Sequence, residues 1–182
     1  MRIISGCRRG QRLFEFEGYN IRPTTDRVRE SIFNLIMDYV SDSEVLDLFG
    51  GSGALSFEAL SRGALHSTIC DTDLNSINLI QKNAESLNFT QNTDIINIRA
   101  EQYISETTKK FDIIFMDPPY NKGYIKPIIE AVVTLDILSE EGIIVLESDS
   151  TDEHGEFNGL DIIKQRKYGR TYVTVYQRGV TK

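Results

Sequence analysis

The tetrapeptide Asp117-Pro118-Pro119-Tyr120 follows directly on the apolar run Phe111–Met116. A strand that meets two prolines stops its ladder and leaves with fixed φ, so one reading is simply a rigid strand exit. Rigidity accounts for neither the carboxylate before the prolines nor the ring after them. Methyl transfer to an exocyclic base amine accounts for both. The lone pair of such an amine is delocalised into the ring, so the nitrogen needs rehybridisation more than a strong base. The Asp117 carboxylate and the Pro118 carbonyl are two acceptors for its N–H bonds, and together they aim the recovered lone pair at a methyl donor. The Pro119 nitrogen adds no competing donor, and Tyr120 offers a face on which a base can stack, worth about 1–3 kcal/mol. A base that reaches such a pocket is single-stranded or flipped from its stack. Asn121, Lys122 and Gly123 form the rim, with Lys122 equally suited to solvent or to a phosphate.

A second set of residues suits a cofactor. The run Val45–Phe49 leads into Gly50-Gly51-Ser52-Gly53 and then a helical pattern from Ala54. Glycines there permit a sharp turn and close approach of a ligand to the main chain, with a helix N-terminus behind it. A tight strand-to-helix turn without ligand is the plainer alternative. No Gly-Lys-Ser/Thr follows, and Ser56 stands where a dinucleotide fingerprint has its third glycine. Asp71 lies twenty residues after Gly51, where nucleotide folds place the carboxylate that holds a ribose. Asp47, near the end of the preceding strand, is expected to face a cation or amide in the cleft. A ribose, a cationic sulfonium and the absence of a pyrophosphate describe S-adenosylmethionine (SAM) better than NAD. Asp73 reads as the N-cap of the next helix rather than a second ribose contact.

These residues need a scaffold. Glu44–Phe49, Ser67–Asp71, Asp94–Ile98, Asp112–Asp117 and Ile143–Glu147 read as short apolar strands. Helical stretches lie between them at Ala54–Arg62, Leu74–Leu87, Glu101–Thr107 and Tyr124–Leu138. Such alternation predicts an α/β fold, a parallel sheet with right-handed crossovers and helices on both faces. Ser148–Gly159 reads as a loop, and Leu160–Gln165 and Thr171–Arg178 as two more strands, the latter a hairpin partner at a sheet edge. Ahead of the sheet, Arg2–Ile4 and Gln11–Phe16 suggest a hairpin. Thr24, Thr25 and Asp26 are competent caps for an amphipathic helix of about four turns carrying Val28, Ile32, Leu35, Ile36 and Tyr39. The chain therefore reads as one domain over 1–182, with an N-terminal extension at 1–40 and a catalytic core at 41–182.

Composition restricts the partners. Cys7 and Cys70 have no CxxC spacing and His66 and His154 are the only histidines, so neither a disulfide framework nor a zinc site is expected, and a reducing cytoplasm suits the chain. No run is long enough to span a membrane, and no metal is called for. The net charge of −7 is unevenly spread. Residues 1–30 carry seven arginines against four acids, and residues 162–182 carry six lysines and arginines with no acid. The intervening residues hold seven bases against twenty-three acids. Ordinary solvated charge is one reading; a polyanion contact built from both ends is the sharper one. Arg8, Arg9, Arg12, Arg27 and Arg29 are the candidate phosphate contacts, with Arg27 and Arg29 expected on the helix side away from its apolar stripe. Arg22, beside Pro23, is set nearer the cleft.

Nearly end to end the chain resembles the RsmD-type 16S ribosomal RNA guanine-N2 methyltransferases. The likeness runs through Arg2-Ile-Ile-Ser-Gly with Arg9-Gly10, then Arg22-Pro-Thr-Thr-Asp-Arg-Val-Arg-Glu30, then Asp47-Leu-Phe-Gly-Gly-Ser-Gly-Ala-Leu55. Glu58-Ala-Leu-Ser-Arg62, Asp117–Tyr120 and Tyr176-Gln-Arg178 complete it. The glycine loop and the Asp-Pro-Pro-Tyr element are shared by many amino-methyltransferases; the arginine-rich segment is particular to this family. The resemblance implies a Rossmann-like seven-stranded methyltransferase sheet, SAM as cofactor, and one guanine of 16S rRNA as target. It also implies an assembled or nearly assembled small ribosomal subunit as substrate. Gly50 replaces an alanine common in relatives, and Arg99-Ala100 departs from their polar or acidic residue before the alanine, so adenine recognition falls to the Ala100 backbone and Glu101. The Asp-Pro-Pro-Tyr element serves adenine as well as guanine, which keeps an adenine-N6 methyltransferase on DNA or RNA as the alternative enzyme. A catalytically silent RNA-binding assembly factor is the alternative outside enzymes.

Overall fold

The computed structural model describes residues 1–16, 26–120, 122–149 and 155–179. Arg22, Pro23, Thr24, Thr25, Asn121 and residues 150–154 lie outside the described residues. Among the described residues seven strands form one sheet: β1 (Glu44–Asp47), β2 (His66–Asp71), β3 (Thr93–Asn97), β4 (Phe111–Met116), β5 (Leu138–Asp149), β6 (Leu160–Tyr168) and β7 (Thr171–Arg178). Their order is β3-β2-β1-β4-β5-β7-β6, with β1 to β5 parallel and β7 antiparallel between β5 and β6. Sequence order reverses between β1 and β4, the position at which open α/β sheets bind their ligands.

The helices α1 (Asp26–Leu35), α2 (Met37–Val40), α3 (Ala54–Ser61), α4 (Leu74–Leu87), α5 (Ala100–Glu106) and α6 (Ile125–Thr134) cover both faces. Strand alternation sends Val45, Ile113, Phe115, Ile143 and Val145 into a core with α1, α3 and α4. It sends Leu46, Ile114, Met116, Ile144 and Leu146 into a second core with α5 and α6. A sheet covered on both faces explains why β4 reads as an almost unbroken apolar run.

Four expectations are corrected. The helix over Val28–Tyr39 is broken at Ile36 (φ −112°, ψ 15°), where the Lys164 ammonium donates to the Leu35 carbonyl at 2.5 Å and so closes α1 as a C-terminal cation. The last strand, β7, is interior; β6 forms the edge. Ser148 and Asp149 belong to β5 and not to a loop, because β7 pairs them with Tyr172 and Thr171. Finally, α6 stops at Thr134, since Asp136 takes a left-handed turn (φ +56°) that hands Leu138 to β5. The N-terminal hairpin exists in reduced form, an Arg2–Arg12 bridge with Ile3 N–H donating to the Gln11 carbonyl at 2.9 Å.

Candidate active site

A cleft of about 720 Å³ opens at the C-terminal ends of the parallel strands. At one end Gly51, Asp71, Thr72, Ala100 and Glu101 line it; at the other, Asp117, Pro118, Pro119, Tyr120 and Glu147 do. The sheet order explains the division. Asp71 closes β2, Asp117 follows β4 two strands away, and Glu147 stands on β5 one strand farther.

The cofactor end is built from backbone. The Gly50 N–H donates to the Cys70 carbonyl at 2.8 Å, which ties the glycine loop to β2. The Gly51 N–H donates to Asp71 Oδ2 at 2.8 Å and the Asp73 N–H to Oδ1 at 2.9 Å. Each carboxylate oxygen accepts one amide and retains capacity for another donor, the requirement for holding a ribose diol. Gly51 (φ +56°) turns toward open space, whereas Gly53 (φ +77°) faces the protein. A Cβ on Gly53 would stand 2.4 Å from the Phe57 ring. Asp73 caps α4 by accepting the Asn75 N–H at 3.0 Å.

Asp47 corrects its expectation. It is 2% exposed and does not line the cleft. Its Oδ2 accepts the Ser56 hydroxyl at 2.9 Å and its Oδ1 the Phe49 N–H at 3.3 Å, so it braces the loop from beneath. Gly50 and Gly53 likewise shape the loop from behind. Burial pushes the Asp47 carboxyl up to about 6 against the two hydrogen bonds, with nearby Asp71 adding to the rise. A raised folded-state value means the acid contributes stability at low pH, full below 3.8 and lost as pH climbs through 6. Asp47→Asn carries no charge to bury, so it should gain about 2–3 kcal/mol over wild type between pH 4 and 8. Urea unfolding across that range checks this; parallel pH profiles for the two proteins would contradict it.

At the opposite end Asp117 is half-buried and Pro118 buried, while Pro119 and Tyr120 are exposed. The Tyr120 hydroxyl donates to Glu147 Oε1 at 3.1 Å. Burial, then the charges of Glu147 and Asp117, push the Tyr120 phenol well above its usual range, so it stays a donor. Phe49 and Tyr124 form a tilted pair 6.1 Å apart beside it. The cleft wall carries four acids (Asp71, Glu101, Asp117, Glu147) against Arg99, which pairs with Glu101 at 3.7 Å. Such a wall favours a cationic guest and opposes a pyrophosphate. Glu147 and Tyr124 escaped sequence reasoning; the one signal was an acid ending the apolar run Ile143–Leu146.

The arginines separate into two groups. Arg29 is fully buried: its guanidinium donates to the Arg2 carbonyl and to Asp26 at 3.1 Å, and its Nε faces Glu58 at 3.8 Å. It is a bolt between hairpin, α1 and α3, not a phosphate contact. Arg8 is also committed inward, donating to the Leu87 carbonyl at 2.7 Å and lying over the Phe89 ring. Arg9, Arg12 and Arg27 are exposed, and Arg9 and Arg27 line a cavity of about 390 Å³ together with Arg2.

Sheet order, cleft position and loop define the Rossmann-like methyltransferase class. The family model described as "Conserved hypothetical protein 95" matches residues 1–177, and the chain belongs to that family, the RsmD family. It is 39% identical over 183 residues to "Putative rRNA methyltransferase YlbH" of Bacillus subtilis, spanning 98% of this chain and 99% of that one. It is 32% identical over 185 residues to "Ribosomal RNA small subunit methyltransferase D" of Escherichia coli, spanning 98% and 90% respectively. The solved structure "Putative methyltransferase yhhF from Escherichia coli" superposes with a TM-score of 0.89 at 30% identity, covering 100% of this chain and 99% of that one.

Proposed function

We propose that this protein methylates the exocyclic N2 amine of one guanine in the 16S rRNA of an assembled or nearly assembled small ribosomal subunit, with SAM as cofactor. The observation that carries this reading is the Asp117–Tyr120 turn at one end of an acid-walled cleft whose other end is the Gly51–Asp71 amide-carboxylate pair. The residues suit SAM: Asp71 would accept ribose hydroxyls, the loop at Gly51 would admit the ligand to the backbone, and Ala100 and Glu101 would hold the adenine. When bound, SAM supplies a methyl group on a positively charged sulfur. Asp117 and the Pro118 carbonyl hold the two N–H bonds of the amine, Tyr120 stacks the flipped base, and the surrounding acids favour the positive charge. Small-subunit methyltransferases among the relatives support the choice of rRNA. Among the described residues no helix is long and apolar enough to cross a membrane, and no group of three or more His, Cys, Asp or Glu could hold a metal. A cytoplasmic setting accords with the rRNA substrate.

Asp71→Ala should weaken SAM binding about 10- to 150-fold, the range for a hydrogen bond to a charged group, with the fold intact by circular dichroism. Unchanged affinity in calorimetry would sink the ribose assignment. For the RNA, an Arg9→Ala, Arg27→Ala variant should bind subunits more weakly, with a salt slope smaller by up to about 0.7–0.9 per lost contact and SAM affinity preserved. Parallel slopes would mean that these arginines merely solubilise the N-terminus. The function itself is tested with methyl-labelled SAM, purified protein, and unmodified small subunits or naked rRNA. Label in N2-methylguanosine of subunit rRNA is expected. Label in N6-methyladenosine would overturn the guanine, preference for naked rRNA would overturn the subunit, and no transfer at all would favour a silent assembly factor.

A further inference from the structure

We infer that Glu147 reads the Watson–Crick edge of the target base and is a determinant of guanine over other 2-aminopurines. The inference rests on the guanine reading above. β4 pairs with β5 through Phe115↔Val145 and Met116↔Leu146, so the next position in register sets Asp117 beside Glu147. Neighbouring parallel strands lie about 4.8 Å apart. Phe115 and Val145 point into the core beneath α1, and strand alternation carries Asp117 and Glu147 to that same face two residues on. Both line the cleft, on the side away from Asp71 and the glycine loop.

Two carboxylates one strand apart match a specific donor pattern. Guanine presents N1–H and the N2 amine side by side, two adjacent donors. If Asp117 holds the amine, the N1–H faces the next acceptor along the sheet edge, which is Glu147. Glu147 is 6% exposed, and its Oε1 already accepts the Tyr120 hydroxyl at 3.1 Å, which fixes the carboxylate at the edge of the stacking ring. An ionised carboxylate offers about four acceptor sites on its two oxygens, so Glu147 can take N1–H alongside the partners it already holds. A base with an unprotonated N1 would instead set its lone pair against this carboxylate, and a buried acceptor pair without a proton between them is costly.

The test uses 2,6-diaminopurine, which keeps the 2-amine but has an acceptor at N1. Small subunits are reconstituted with guanine or diaminopurine at the methylated position once it is mapped, and kcat/KM is measured for both. Wild type should favour guanine about 10- to 100-fold. In Glu147→Gln the Tyr120 hydroxyl claims the amide oxygen and leaves the NH2 facing N1, so the variant should lose a similar factor on guanine and erase or reverse the preference. Glu147→Asp should be slower yet keep the preference. SAM affinity should stay within a few-fold of wild type in both variants, showing that the cleft is folded. Tyr120→Phe removes the anchor but not the carboxylate, so it should be slower yet keep most of the preference. An unchanged preference in Glu147→Gln would overturn the inference, as would its equal loss in Tyr120→Phe, which would make Glu147 only a support for the tyrosine. A wild-type product other than N2-methylguanosine would instead refute the guanine reading on which the inference stands.

Discussion

Replacing Asp117 by alanine should reduce methyl transfer about 100-fold or more while leaving SAM affinity at its wild-type value. The size is that of a preorganised polar contact aimed at the reacting atom. Asp117 lies at the end of β4, two strands from the Asp71 carboxylate, so removing it leaves the Gly51–Asp71 and Asp73–Asp71 bonds in place. Asp117→Asn should retain more activity, because an amide oxygen still accepts an amine N–H. Single-turnover rates with SAM binding by calorimetry separate the outcomes. Equal inactivity of the alanine and asparagine variants would make Asp117 a proton acceptor rather than a positioning group.

The largest effect on stability is expected at Glu58, a residue with no contact to the cleft. It is fully buried on α3, and its Oε2 accepts the Ile4 N–H at 2.7 Å. Oε1 accepts the Ser5 N–H at 3.0 Å and the Arg62 Nε at 2.7 Å. Glu58→Ala leaves the buried Arg29 guanidinium without its α3 partner and strands two backbone amides. Breaking a buried pair from one side costs about 3–5 kcal/mol, which for a domain of this size lowers Tm by roughly 10 °C. An Arg29→Met, Glu58→Met variant should recover much of that loss, since apolar replacement removes both charges together. Thermal unfolding of the single and double variants measures this. A double variant no more stable than Glu58→Ala would show that the amides, not the ion pair, carry the cost.

Where local chemistry decides an element, the sequence was sufficient. Leu74–Leu87 was legible to the residue, because Asp73 caps its start and Asn88 ends it in a left-handed turn. Thr171–Arg178 was equally plain from its alternation, although its interior place depends on partners on both sides. What stayed hidden depends on residues far along the chain. The break at Ile36 is capped by Lys164 on β6, and the buried Arg29 is partnered by Glu58 and the Arg2 carbonyl. Asp47 stays out of the cleft lining, its Oδ2 taken by the hydroxyl of Ser56 in the first turn of α3. Glu147 was masked by the apolar residues before it, and only the register of β4 against β5 brings it level with Asp117. Both ends of the cleft were thus visible as motifs, whereas the acid that accepts the Tyr120 hydroxyl was a product of the sheet.

The proposed modification of the N2 amine of one guanine in small-subunit rRNA can be followed in cells. Mass mapping of that rRNA from cells lacking the gene, and from the same cells carrying wild type or Asp117→Ala, tests it most directly. One N2-methylguanosine should disappear, return with wild type, and stay absent with the variant. An intact set of N2-methylguanosines in the small subunit of cells lacking the gene would contradict it.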